Sequence, residues 1–212
     1  MVLLTYTDSM PKLLLFDADG VLTIPEELFS VVYCKSHGLD PQPLEAFFKA
    51  EWHDYVTGKK DLVDHITKNP ELGQWYGSAE ELVQYWCKIE DIRNETMISL
   101  VKEIRKKGIP CYLATEQEHY RGRYMKEVMF KDLFDGYFIS SEVGFKKSDP
   151  AFFNRVIQTL QSLYSNLKAE DILFFDDSQS KVDAASRTGI NATLFTGEAS
   201  VLSKLKSEKI NC

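Results

Sequence analysis

The sequence has no stretch that approaches the roughly 18 apolar residues of a membrane-spanning helix. Its first ten residues, MVLLTYTDSM, also lack the basic start and long apolar centre of a secretion leader. Both absences point to a cytoplasmic protein with no membrane partner. Positive charge is in short supply, with 25 Lys and Arg against 32 Asp and Glu and a net charge of −7. Such a surface repels phosphate backbones and anionic lipid, which argues against nucleic acid as a partner. Cysteine is sparse as well. Cys34, Cys87, Cys111 and Cys212 lie far apart, form no CxxC pair and have no histidine at zinc-ligand spacing. Neither a zinc knuckle nor a redox motif is indicated, and buried, reduced thiols are the expectation. The sequons Asn94-Glu95-Thr96 and Asn191-Ala192-Thr193 would matter only in a secreted chain. Repeats and low-complexity tracts are missing too. The composition suits a small soluble substrate.

What the chain does contain is enough apolar matter for a sizeable core: 44% of its 212 residues are hydrophobic. The run Lys12-Leu13-Leu14-Leu15-Phe16 is short, unbroken rather than alternating, and stops at Asp17. That pattern predicts a strand covered on both faces. Similar runs recur at Ile109 to Thr115, Tyr137 to Ser140, Ile172 to Phe175 and Ala192 to Phe195. Helical patterns separate them. Met97, Val101 and Ile104 precede Lys106-Lys107-Gly108, a basic last turn with a glycine stop. Asp149-Pro150 offers a cap and a first-turn proline before Phe152, Phe153, Val156, Ile157 and Leu160. A further helix is expected from about Lys181 to Thr188, ending at Gly189. Alternating strands and helices predict an α/β fold with a parallel sheet, whose ligands bind beyond the carboxyl ends of the strands. Residues 24–95 break this rhythm. They carry aromatics such as Phe47, Phe48, Trp52, Tyr55, Tyr85 and Trp86 but no strong strand, and Pro25, Pro41, Pro43, Gly58 and Gly73 punctuate them. They read as an inserted set of short helices whose aromatics mostly form its core.

Chemistry-bearing residues collect at the predicted strand ends. Asp17 and Asp19 follow the first strand and precede Gly20, which permits a tight turn. Carboxylates in that place could simply cap the next element. Asp176 and Asp177 end a second apolar run, however, and parallel geometry could set them beside the first pair. Four clustered carboxylates repel unless a cation sits among them, and a hard divalent ion such as magnesium fits an all-oxygen set. Lys147 lies just before a helix and either adds positive charge there or belongs to a solvated Lys146-Lys147 pair. Thr115 offers a hydroxyl and an amide at a strand end. His119, Arg121 and Arg123 could reach a substrate, but a solvated helix face is the simpler reading.

Taken in order, these segments resemble the haloacid dehalogenase superfamily of phosphohydrolases. The family's DxD-G motif is matched by Asp17 to Thr23, and its strand ending in Thr or Ser at Thr115. Its lysine motif is matched from Gly144 to Pro150, with Ser148 in place of the usual first proline. Its acidic strand end is matched from Ile172 to Gly189. The resemblance implies a three-layer Rossmann-like core (1–23 and 96–212) with a mostly parallel sheet, plus a small all-helical cap (24–95). It also implies a phosphatase using an aspartyl-phosphate intermediate. Asp17 would be the nucleophile and Asp19 the acid and base, which favours phosphatase over dehalogenase; Thr115 and Lys147 would complete the catalytic set. Thr115, Glu116 and Lys147 would stand at the substrate phosphate. Glu116 departs from the usual Asn or Ser, and an outward-facing acid at a helix start is the preferred reading for it. Magnesium would be held by Asp17, the Asp19 carbonyl and Asp177, with Asp176 behind them or as an alternative ligand. A small phosphorylated metabolite is the expected substrate. A phosphotransferase or phosphomutase sharing the first step, and a non-catalytic binding module, are the alternatives. Monomer and homodimer both stay open.

Overall fold

The computed structural model describes residues 13–50, 52–70 and 77–210. Lys12, Gly73, Cys212 and the first ten residues, which figured in the expectations above, lie outside them. Strands β1 (Leu13–Phe16), β2 (Cys111–Thr115), β3 (Gly136–Ile139), β4 (Ile172–Asp176) and β5 (Asn191–Leu194) form one sheet in the order β3-β2-β1-β4-β5, and every pairing is parallel. The five predicted runs supply these strands with ends moved by a residue or two. In β2 the regular strand begins only after Pro110, which has no amide to donate.

Unbroken apolar runs are explained by the two faces. In β1, Leu14 and Phe16 join one apolar cluster while Leu13 and Leu15 join another. The same alternation holds for Leu173 and Phe175 against Ile172 and Phe174 in β4. Helices α6 (Glu95–Lys106) and α11 (Glu198–Ser207) cover the first face, while α9 (Pro150–Leu163) and α10 (Gln179–Ser186) cover the second. Each large side chain buried this way contributes about 1.5–3 kcal/mol. The Asp149 side chain accepts the Ala151 amide at 2.9 Å, with Pro150 in the first turn of α9 as expected. Helix α10 starts at Gln179, two residues before the expected position, with the Ser178 carbonyl accepting the Lys181 and Val182 amides.

Between β1 and α6 lie the short helices α1 (Phe29–His37), α2 (Gln42–Ala50), α3 (Trp52–Val56), α4 (Leu62–Lys68) and α5 (Ala79–Ile89). A capping box of Ser78 and Glu81 starts α5. Their apolar residues, among them Phe29, Tyr33, Phe47, Tyr55 and Trp86, form a third cluster of their own, so the aromatics are mostly core. Cys34, Cys87 and Cys111 are buried free thiols. No helix among the described residues is long and apolar enough to cross a membrane.

The chain steps from β1 outward through β2 to β3, then returns to the other side of β1 for β4 and β5. That reversal opens a crevice past the carboxyl ends of β1 and β4. Asp17, Asp176 and Asp177 stand there. Helices α7 (His119–Tyr124) and α8 (Ser140–Val143) follow β2 and β3 on the same side.

Candidate active site

Three carboxylates that the sequence places at two strand ends converge. One oxygen from each of Asp17, Asp176 and Asp177 lies within 4.8 Å of the others. Asp17 is buried and its two oxygens are treated differently. Oδ1 accepts the Lys147 ammonium at 2.5 Å and the Ala18 amide at 2.7 Å. Oδ2 is buried without a hydrogen-bond partner. A buried bare carboxylate oxygen is costly, and beside two further acids it suits a hard cation. Burial pushes the Asp17 carboxyl up, Lys147 pulls it back, and Asp176 pushes it up again, leaving it at about 6. Burial and the charge of Asp17 also raise Asp177 above the ordinary range.

Gly20 makes this approach possible. Its φ of +78° is left-handed, and a Cβ there would collide with the Asp177 carboxylate. The turn around it is closed by amides of residues 21–23 donating to the Ala18 carbonyl and by Gly20 donating to Thr23. Thus the Ala18 and Gly20 amides have partners within the protein, Asp17 Oδ1 and the Thr23 carbonyl.

Lys147 is not a solvated lysine. It is fully buried, and its Nζ reaches Asp17 Oδ1, Asp176 Oδ2 at 2.6 Å and the Ala114 carbonyl at 3.0 Å. Each Asp176 oxygen has one partner, Oδ1 accepting the Ser178 amide at 2.9 Å. Thr115 is buried at the end of β2. Glu116, next to it, is half-buried rather than outward-facing. Its Oε2 accepts the Lys147 amide at 2.8 Å, so it braces the lysine loop.

Asp19 shows what sequence reasoning missed. Its carboxylate accepts both terminal nitrogens of Arg121 at 2.8 and 3.0 Å, the Gln117 side-chain amide at 2.5 Å and the Thr23 hydroxyl at 2.8 Å. Arg121 is only 2% exposed, which corrects the solvated-face expectation; His119 and Arg123 are exposed as expected. The guanidinium also pairs with Glu90 at 3.0 Å and lies 5.6 Å from the Trp86 ring centroid. Glu90 accepts the Phe29 amide at 2.7 Å, tying the start of α1 to the same network. Burial alone would raise the Asp19 carboxyl, but Arg121, Thr23 and Gln117 together bring it down to about 2. The side chain is nonetheless 46% exposed.

Lys181 is the second omission. It occupies the first turn of α10, and its Nζ stands 3.6 Å from Asp17 Oδ2. Burial would lower its pKa, yet Asp17, Asp176, Glu116 and Asp177 hold it well above the ordinary lysine range. Its place in the first turn of the helix that follows Asp176-Asp177 was the available signal.

A family model described as haloacid dehalogenase-like hydrolase matches residues 11–189. The fold is shared with a HAD family enzyme from Bacteroides thetaiotaomicron solved with magnesium and inorganic phosphate. That match has a TM-score of 0.72 and 19% identity, covering 89% of this chain and 96% of that one. A HAD-like family hydrolase from Porphyromonas gingivalis superimposes with a TM-score of 0.73 at 16% identity, covering 96% and 100%. Among curated proteins, the sesquiterpene phosphatase astK of Aspergillus oryzae is 30% identical over 95 residues. The match spans 44% of this chain and only 46% of that protein.

Proposed function

Because this chain belongs to the haloacid dehalogenase-like hydrolases, we propose that it is a magnesium-dependent phosphatase hydrolysing a small phosphomonoester through an aspartyl-phosphate on Asp17. The observation that carries this reading is the split Asp17 carboxylate, one oxygen anchored by Lys147 and the other bare beside Asp176 and Asp177. Asp17 Oδ2, the Asp19 main-chain carbonyl and Asp177 would hold magnesium, with Asp176 behind them or as an alternative ligand. When bound, the ion supplies positive charge where the transferring phosphoryl group gathers negative charge.

The protein's own residues divide the remaining work. Asp17 attacks phosphorus, forming an acyl phosphate as the ester P–O bond breaks, and Asp19 gives the departing alkoxide its proton. Asp19 then takes a proton from the water that attacks the acyl phosphate, which restores Asp17. Paired with Arg121, Asp19 is ionised, the form needed for that second step. To serve as the acid in the first step it must loosen from Arg121 and carry a proton, the one it takes from water in the preceding turnover. Lys147 orients the nucleophile, Thr115 stands at the phosphate position, and Glu116 fixes the loop that carries Lys147. Residues 24–95 act as the cap over the crevice.

Release of inorganic phosphate from a panel of phosphomonoesters tests this. Activity is expected with magnesium, lost in chelator, regained on adding magnesium, and reduced about 10²–10⁴-fold in Asp19→Asn. Full activity in Asp17→Asn would sink the mechanism. Isomerised sugar phosphate in place of free phosphate would indicate transfer.

A narrower reading concerns the leaving group. The apolar cavity inside the helical insert, lined by residues including Phe29, Leu44, Phe48, Val83 and Trp86, measures only about 20 Å³, room for a single water. It belongs to the insert's own core, so it does not itself hold a leaving group. The astK relative, a sesquiterpene phosphatase matched over 46% of its length, favours a phosphate ester of an apolar alcohol. A higher kcat/KM for a sesquiterpenyl monophosphate than for a sugar phosphate is expected. The reverse preference would rule it out.

A further inference from the structure

We propose that Lys181 is a substrate-contacting residue, a second ammonium that grips the phosphoryl group from the first turn of α10. This rests on the reading of the crevice as a phosphomonoesterase site. The argument begins with a shortage. An ammonium has three N–H donors, and Lys147 gives all three to Asp17, Asp176 and the Ala114 carbonyl while fully buried. It can take a phosphate oxygen only by giving up one of these acceptors. Arg121 is committed elsewhere, since its two terminal nitrogens pair with Asp19 and Glu90 and its Nε, although without a hydrogen-bond partner, is buried.

Lys181 is placed differently. Its Nζ stands 3.6 Å from Asp17 Oδ2, beyond hydrogen-bond reach, and its side chain makes no hydrogen bond to another described residue. With 23% of its surface open, it has donors left for a ligand beside the nucleophile's bare oxygen. Local helix electrostatics does not account for this position. The amino end of a helix is its positive pole and favours acids, yet the first turn of α10 holds this lysine and no acid.

Charge balance leads to the same residue. Asp17, Asp176, Asp177 and Glu116 bring four carboxylates, and Lys147 and Lys181 bring two ammonium groups. One divalent cation would then neutralise the pocket. Without Lys181, the pocket would stay negative even with the cation bound and would repel the dianion it is to bind. Glu116 accordingly serves the site indirectly, bracing the lysine loop and adding to the field that holds Lys181 in place.

The test is calorimetric titration of the full-length, magnesium-saturated protein with inorganic phosphate, comparing wild type with Lys181→Met, Lys181→Gln and Lys181→Arg. A parallel titration uses magnesium alone. Loss of one charge-assisted contact is expected to weaken phosphate binding by about tenfold or more in the Met and Gln variants, with Arg restoring most of it. Magnesium binding alone should be unchanged or tighter, because a neighbouring cation has gone. If the Met and Gln variants bind phosphate within about twofold of wild type while magnesium binding tightens, Lys181 is a counter-ion only and the proposal is overturned. If wild type binds phosphate and hydrolyses esters but all variants bind equally, the Lys181 assignment alone fails. A wild type that neither binds phosphate nor hydrolyses any ester overturns the site reading along with it.

Discussion

Removing the charge from Asp17 is expected to stabilise the metal-free protein. Its carboxyl titrates at about 6 in the fold against an ordinary 3.8, so the folded chain holds that proton more tightly than the unfolded one. The stabilisation is complete in acid below the ordinary value and is lost as pH rises through 6. Asp17→Asn should therefore melt higher than wild type at pH 7.5 in chelator, with the gap closing toward pH 4. A lower melting temperature at pH 7.5 would show that the Asp17–Lys147 ion pair outweighs the burial of Asp17. Arg121→Met works in the opposite direction. It leaves the Glu90 carboxylate buried without its cation, which should cost about 3 kcal/mol in urea denaturation. Arg121→Lys keeps the charge but not the two-pronged geometry and should recover only part of that loss. The sequence made Asp17 legible because an acid ending an apolar run is conspicuous. Arg121 was not legible, since a lysine- and arginine-bearing stretch looks the same whether it faces water or a buried carboxylate.

At the scale of elements, the turn from Ala18 to Thr23 is where backbone geometry meets the site. Gly20→Ala would strain a left-handed residue and push the Asp177 carboxylate away from Asp17, a shift that can cost about 10²-fold in rate. Weaker magnesium binding by calorimetry, together with slower phosphate release, checks it. Unchanged magnesium affinity would separate Asp177 from the ion. The elements themselves could be read well ahead of the structure. Unbroken runs such as Leu13 to Phe16 and Ile172 to Phe175 do alternate, but between two apolar faces. The Asp149-Pro150 start of α9 follows from one side-chain acceptor and one fixed φ. Boundaries slipped by a residue or two, as at α10, which starts at Gln179 rather than Lys181.

Across the whole molecule, the helical insert meets the sheet's helices along a seam. It includes Tyr120 donating to Asp61 at 2.8 Å, Tyr124 donating to Asp91 at 3.1 Å and the Arg121–Glu90 pair. Gly58, just past α3, abuts the Ser141 carbonyl at φ +71°, where a Cβ could not fit. Gly58→Ala should part this seam and lower kcat/KM by up to about 10²-fold, with a lower melting temperature and unchanged helix content by circular dichroism. Retained kcat/KM would mean that the seam does not set the geometry over the crevice.

The amino-acid sequence by itself determined the strands, the parallel order of strand and helix, the short helices among the described residues between β1 and α6, and the acids at the strand ends. Each of these depends on neighbours within a few residues, where periodicity and turn chemistry act. Only the tertiary structure decided who partners whom: Arg121 with Asp19 across 102 positions, Lys147 with three acceptors from three strands, and Lys181 beside Asp17. Those pairings arise where the packed sheet brings distant strand ends into one crevice, and burial there makes each unpaired charge too costly to leave alone.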